Sequence, residues 1–244
     1  MTTFALKLIA LTAMMIDHVG EVGSGRIPYW LLLRLIGRTA FPLYAFMIAE
    51  GCRHTRDMKK YLLRLGAFAL ISEIPFDLCF ENPYPSGLRG VTFLSFNYQN
   101  VFFNLFLSVL AIYIFDRLRG TKLKALGVLA VPAAMAAAQF IRADYGAKAV
   151  LIIFALYVLR GKAARVAAMV AGSALIYLPN YNYTAYLFGR AVSFGLAAFL
   201  AGSLPAVFVA FYNGKRGPGI KYFFYAMYPL HLLILAAYQI LPAI

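Results

Sequence analysis

Acidic residues are scarce in this chain, 9 Asp and Glu against 23 Lys and Arg, and charge of either sign is thin, at 13% of 244 residues. A soluble domain carries about 25% charged residues, so this chain lacks the polar groups that a water-facing surface requires. Cysteine is limited to Cys52 and Cys79. They fall at ends of two different apolar runs, on opposite sides of a membrane by the reading below, which excludes a disulfide between them. The three histidines lie on separate segments, without HExxH or zinc-ligand spacing, and no metal site is expected. A Gly-rich phosphate loop following a strand and a nucleophile elbow are missing as well, which removes the P-loop and serine-hydrolase classes. No repeat of 20 to 50 residues is visible. The only biased tract is Ala-rich, Val131 to Ala138, the composition of a close-packing helix face.

What the chain has in excess is apolar length: 63% of it is hydrophobic and 16% aromatic. Runs lie near Phe4 to Val22, Pro28 to Glu50, Tyr61 to Phe80, Phe96 to Phe115, Leu123 to Ile141, Tyr145 to Leu159, Ala163 to Leu178, Arg190 to Tyr212 and Lys221 to Leu241. A bilayer core takes about 20 helical residues per crossing, and backbone groups in lipid must bond internally. No period-two alternation points to a barrel. The expected fold is therefore all-α, a polytopic membrane helix bundle of about nine helices forming one domain over residues 1–244. An extra partial helix between Asn180 and Gly189 would make the count ten. Asp17 and His18 interrupt the first run and no convincing small-x-small cleavage site follows, so that run is expected to be retained rather than removed as a signal peptide.

Lys and Arg alternate with the runs. The even-numbered loops and the N-terminus hold 16 of them, the odd-numbered loops only Arg26, Arg89, Arg142, Lys148 and Arg190. By the positive-inside rule the N-terminus is inside. The same distribution argues against nucleic acid as the partner of the net +14 charge, because a nucleic-acid binder gathers its basic residues on one face.

Ionisable groups within the runs are costly and are functional candidates by default. Asp17 and His18 lie in the outer half of the first run. Arg34 and Arg38 are four apart on one face of the second, with Arg34 near the depth of His18. Glu73 and Asp77 share a face of the third, flanking Pro75, and two carboxylates are thereby expected to face two arginines. They would either neutralise those arginines or join in chemistry. Asn100 and His231, the latter flanked by Tyr225 and Tyr228, serve equally as interhelical glue or as site residues. A neutral imidazole among charges suits His18 to proton transfer near pH 7.

A second cluster gathers at the inner mouth: Glu50, Arg53, His54, Arg56, Lys59, Lys60 and Arg64, with Lys215, Arg216 and Lys221. Topology alone accounts for many of these cations. Their density also suits an anionic, phosphate-bearing ligand.

Several short motifs carry a resemblance. Ile16-Asp17-His18, Gly37-Arg38 with Ala40-Phe41-Pro42, Ala49-Glu50-Gly51, His54-Thr55-Arg56, Ser72-Glu73-Ile74-Pro75-Phe76-Asp77 and Asn100-Val101-Phe102-Phe103 occur in order. Tyr212-Asn213-Gly214-Lys215-Arg216-Gly217 and Lys221-Tyr222-Phe223-Phe224-Tyr225 with Tyr228-Pro229 and His231 follow. This series resembles the TraX family, with Asn104 where that pattern leads one to expect Thr, and the family is similar to a wider superfamily of transmembrane acyltransferases. The resemblance implies a multi-pass protein of the bacterial cytoplasmic membrane that moves an acetyl group from cytoplasmic acetyl-CoA to an extracytoplasmic acceptor. That acceptor would be a pilin N-terminal amine or a surface glycan. His18 would be the base, Arg34 or Arg38 would steady the oxyanion, and Asp17 or Glu73 with Asp77 would orient them. Arg53, His54, Arg56, Lys59, Lys215 and Arg216 would hold the acetyl-CoA. Two other classes compete: a secondary transporter, for which an inverted repeat is missing, and a non-enzymatic assembly factor for surface fibres.

Overall fold

The structure, a computed structural model, describes residues 1–82 and 91–240, so Arg89 and Leu241 lie outside the described residues. Among the described residues eleven α-helices follow one another: α1 Thr3–Val22, α2 Trp30–Gly37, α3 Ala40–His54, α4 Met58–Phe80, α5 Val101–Leu118, α6 Lys124–Phe140, α7 Gly146–Val158, α8 Lys162–Tyr177, α9 Phe194–Ser203, α10 Pro205–Ala210 and α11 Lys221–Ile240. Seven of the nine expected runs match single helices, and two are split. The run Pro28 to Glu50 breaks at Arg38 and Thr39, and the run Arg190 to Tyr212 yields α9 and α10 around Leu204. Both breaks precede a proline in the next first turn, Pro42 and Pro205, where a missing N–H costs no helical bond.

The partial helix expected between Asn180 and Gly189 is a correction. After a 3₁₀ turn at Leu178–Asn180 the chain forms a hairpin of β1 Thr184–Leu187 and β2 Arg190–Ser193. Leu187 pairs with Arg190 across the two-residue turn Phe188-Gly189. Both turn residues have positive φ, 51° and 74°, which gives the turn the twist that matches antiparallel strands.

Helix starts are fastened locally. Thr2 accepts from the Ala5 N–H at 3.2 Å, Asp57 from Lys60 at 3.0 Å, Asn100 from Phe102 at 3.0 Å and Ser193 from Leu196 at 3.3 Å. At Asp57 the Lys60 N–H also holds the carboxyl below the usual range.

Neighbouring helices run in a closed circuit, α1 to α3, α7, α5, α4, α11 and back to α1. Each contributes to one core: Leu6, Leu43, Phe46, Leu65, Ile112, Ile153, Leu156 and Leu232 are all fully buried. The outside is apolar too, with Leu63, Leu70, Phe140 and Ile234 more than half exposed. That inversion fits a lipid solvent. Four described stretches are long and apolar enough to cross a membrane, Thr3–Val22, Trp30–His54 across its break, Val101–Leu118 and Tyr222–Ile240. The helices Lys124–Phe140, Gly146–Val158 and the stretch Phe194–Ala210 are apolar but shorter.

The ends of the bundle differ. At one, the Met1 amine donates to the Phe211 carbonyl, Thr3 N–H to that of Lys215 and Arg216 to that of His54. The basic loops after α3 and α10 thus gather beside the N-terminus, and Arg53 on α3 ties the end of α7 to the same side through the Leu159 carbonyl. Cys52 and Cys79 are both buried and free, on α3 toward this end and near the far end of α4.

Candidate active site

Near the far end, α1 carries Asp17 and His18 into the bundle. Asp17 is the centre of a charge cluster. Its Oδ2 accepts from Arg34 Nη1 at 2.7 Å and its Oδ1 from Arg38 Nη2 at 2.5 Å. Arg34 also pairs with Glu21, one turn beyond Asp17 on the same face of α1. Arg38 Nε donates to the Arg34 carbonyl at 3.1 Å, its guanidinium lies 5.9 Å from the ring centre of Tyr177, and the Tyr177 hydroxyl donates to the Arg38 carbonyl at 3.4 Å. Both arginine side chains are less than one-fifth exposed, so each pairing stands in for the water it excludes.

The backbone makes this possible at Gly37. A Cβ there would overlap the Asp17 side chain, so only glycine lets α2 come this close to α1. Gly20 does the same one turn on, where an added Cβ would meet Leu33 Cβ at 2.8 Å.

The neighbouring His18 points to α11. Its Nδ1 lies 2.6 Å from His231 Nε2, the rings are nearly parallel at 10° with centroids 4.9 Å apart, and His231 Nδ1 donates to the Met227 carbonyl at 2.7 Å. Phe80 and Tyr228 pack edge-on against His18 at 5.2 and 6.1 Å, and Tyr228 against His231 at 5.7 Å. His231 and Tyr228 are buried. The fold therefore brings together Asp17, His18, Arg34, Arg38, Tyr228 and His231.

Glu73 and Asp77 are elsewhere, which corrects the expected pairing of these carboxylates with Arg34 and Arg38. Glu73 Oε2 accepts from the Asn100 side chain and, at 3.3 Å, from its N–H; Asn100 also donates to the Ala69 carbonyl at 2.8 Å. Asp77 Oδ2 accepts from the Ser95 N–H at 2.6 Å. Asn82 completes this fastening by exchanging bonds of 2.6 and 2.8 Å with Thr92. The two carboxylates, with Asn100, tie the segment before α5 to α4. Phe102 packs on Tyr228 at 5.1 Å, joining that strap to the histidines through rings. Asn104 uses both ends of its amide on the start of α7, donating to the Gly146 carbonyl and accepting from the Tyr145 N–H, each at 3.0 Å.

At the basic end the expected ligand-holding residues divide. Arg53 turns inward: it pairs with Glu50 and donates to the carbonyls of Leu156, Tyr157 and Leu159 at 2.5, 2.6 and 3.1 Å. Its charge closes the C-terminus of α7. Glu50 also meets Arg165 at 3.3 Å and His54 at 3.5 Å. His54, Arg56, Lys59, Lys215 and Arg216 are exposed. A cavity of about 300 Å³ opens beside them, lined by Phe46, Glu50, Lys162, Arg165, Val209, Tyr212, Asn213 and Gly214. Among the described residues no group of three His, Cys, Asp or Glu is arranged to hold a metal ion.

Sequence reasoning missed Glu21, Tyr177 and Met227 as partners, and Arg165 as a partner of Glu50. Glu21 was findable, since it lies four residues after Asp17 on a helix.

With this geometry in place, comparison with known proteins decides the family. The profile described as TraX protein matches residues 3–239. The chain belongs to the TraX family. A probable fimbrial assembly protein FimC, serogroup H1, of Dichelobacter nodosus is 32% identical over 247 residues, spanning 97% of this chain and 95% of that one. No solved structure matches. The motifs that carried the resemblance include both halves of the TraX chain's central cluster, Asp17-His18 on α1 and Gly37-Arg38 at the end of α2, together with His231 on α11.

Proposed function

We propose that this protein is a membrane-embedded acetyltransferase that takes an acetyl group from acetyl-CoA at its basic end and delivers it to an amine or hydroxyl at the opposite end. The observation that carries the reading is a paired imidazole, His18, on the same helix turn as an aspartate that holds two guanidiniums. A base beside preorganised positive charge is what acyl transfer needs. His18 removes the proton from the acceptor as its nitrogen or oxygen attacks the thioester carbonyl. The tetrahedral oxyanion forms against Arg34 or Arg38, and its collapse breaks the C–S bond. The CoA thiolate leaves with the proton that His18 had taken. Asp17 orients the arginines, and its charge is already spent on them, so it is not the base.

His54, Arg56, Lys59, Lys215 and Arg216 serve the phosphates of the donor, joined by Lys162 and Arg165 in the cavity lining. Arg53 is assigned to α7 instead. In this reading the basic end faces the cytoplasm of a bacterial cell and the histidine pair lies toward the outer half of its cytoplasmic membrane. The fimbrial assembly role in the name of the Dichelobacter relative supports a pilin amine as the acceptor, with a surface glycan as the alternative. The same name favours a second reading, a non-catalytic part in fibre assembly.

Purified protein in lipid nanodiscs, given labelled acetyl-CoA and a peptide with a free N-terminus, separates the two. The acetyltransferase transfers label and His18→Ala does not. An assembly factor transfers none, and its fibre phenotype survives the substitution.

A further inference from the structure

A neutral imidazole carries one proton on one of two nitrogens, and only the other can act as a base. In the His18–His231 pair the acceptor at the end of the chain decides which is which. The Met227 carbonyl can only accept, so His231 Nδ1 at 2.7 Å donates to it. Neutral His231 is then bare at Nε2, and the donor facing that nitrogen is His18 Nδ1 at 2.6 Å. His18 consequently holds its proton on Nδ1 and is bare at Nε2. That nitrogen has no hydrogen-bond partner among the described residues.

We propose that His231 is the positioning residue of the site, fixing His18 in the Nδ1–H tautomer so that Nε2 is the atom that takes the acceptor's proton. The role rests on the acetyl-transfer reading. Three features besides the hydrogen bond support it. The rings are nearly parallel, at 10°, and centroids 4.9 Å apart across a 2.6 Å N···N contact place them end to end, which puts the bond in the ring planes. Phe80 and Tyr228 flank the pair and restrict rotation of His18 about χ2. The residues are 213 apart in sequence, so the contact exists only because α11 closes the helix circuit onto α1.

The step balances without a co-reactant. As Nε2 takes the acceptor's proton, His18 becomes a cation and its Nδ1–H donates more strongly to His231 Nε2. The Nδ1 proton stays on His18, and His231 polarises toward the Met227 carbonyl. When the thiolate leaves, Nε2 returns its proton and both rings regain their starting tautomers. Without His231 the Nδ1–H has no acceptor, and the Nε2–H form, useless as a base, competes.

Ring-¹⁵N-labelled full-length protein in nanodiscs tests this by NMR, with a separate His54→Gln sample used only to assign the third histidine's signals and not for activity. The expected spectrum has His18 protonated at Nδ1 and bare at Nε2, and His231→Ala converts His18 wholly or partly to the Nε2–H form. His231→Ala lowers kcat about tenfold or more, within the about 10²- to 10⁴-fold that a general base supplies, with KM for acetyl-CoA unchanged. His231→Gln, whose amide oxygen can accept from Nδ1–H, recovers part of both. A wild-type His18 protonated at Nε2, or a tautomer indifferent to His231→Ala, overturns the proposal. The expected tautomers in a wild-type protein that transfers no acetyl group would leave the pairing in place and overturn the enzymatic reading on which its role rests.

Discussion

Asp17 and Arg38, 21 residues apart, meet through Asp17 Oδ1 and Arg38 Nη2 at 2.5 Å, while the other carboxylate oxygen holds Arg34 at 2.7 Å. One carboxylate thus fixes two cations beside His18, and Glu21 adds a second negative charge to Arg34 alone. Removing Asp17 leaves Arg38 without a carboxylate partner. Breaking a buried pair from one side costs about 3–5 kcal/mol. Asp17→Asn is expected to lower the unfolding temperature in detergent and to abolish transfer. Glu21→Gln, at the exposed edge of the same cluster, is expected to leave both nearly intact. Thermal unfolding and turnover of the two variants check this.

Gly37 gives a prediction whose sign runs against intrinsic helix preference. Gly to Ala in a helix ordinarily stabilises by about 0.5–1 kcal/mol. At Gly37 the added methyl overlaps the Asp17 side chain, whereas at Gly66 it meets Phe106 at an ordinary 3.4 Å. Gly66→Ala is expected to be neutral or stabilising, and Gly37→Ala to destabilise and to lower kcat. A Gly37→Ala protein as stable and active as the parent would show that the close crossing of α1 and α2 is dispensable.

Much of this was legible in the sequence, and the limits have physical causes. The candidate site residues on α1 and α2 were readable because a charge in an apolar run is conspicuous and i,i+4 spacing fixes a face. Their partners were not. Arg34 and Arg38 had two sets of carboxylates within plausible reach, and spacing cannot choose between an aspartate on α1 and the pair on α4. The hairpin at Thr184–Ser193 was masked by a mixed aromatic and apolar composition, although Gly189 marked its turn. The break at Arg38-Thr39 was hidden by the apolar residues on either side of it, although Gly37 and Pro42 flank it. The contact of His18 with His231 depends on tertiary closure and has no local signature at all.

The strap before α5 should separate stability from chemistry. Asn100→Ala removes the donor facing Glu73 and leaves that buried carboxylate without its amide partner, at about 1–3 kcal/mol. Glu73→Gln keeps an acceptor for the same donor. Unfolding temperature should fall clearly for the first and little for the second, while kcat per folded molecule stays within about threefold of the parent for both, because a structural tie leaves the about 10²- to 10⁴-fold effect of a general base untouched. A loss of activity in folded Glu73→Gln would move Glu73 into the catalytic group.

At the basic end the exposed cations and Arg53 should behave differently. Lys215→Glu with Arg216→Glu is expected to raise KM for acetyl-CoA, to make it more sensitive to salt and to leave kcat unchanged. Glu50→Gln leaves Arg53 and Arg165 without their shared counter-charge, so its effect is on stability, at about 3–5 kcal/mol. Steady-state kinetics over a range of acetyl-CoA and salt, beside thermal unfolding, distinguishes the two.

The most direct test is acetyl transfer by purified protein in nanodiscs, wild type against His18→Ala, followed by mass spectrometry of an amine-bearing peptide acceptor supplied with acetyl-CoA. The account predicts an acetylated peptide and stoichiometric free CoA from the wild type, and neither from His18→Ala although that variant still inserts and folds. Equal acetylation by both proteins would contradict it.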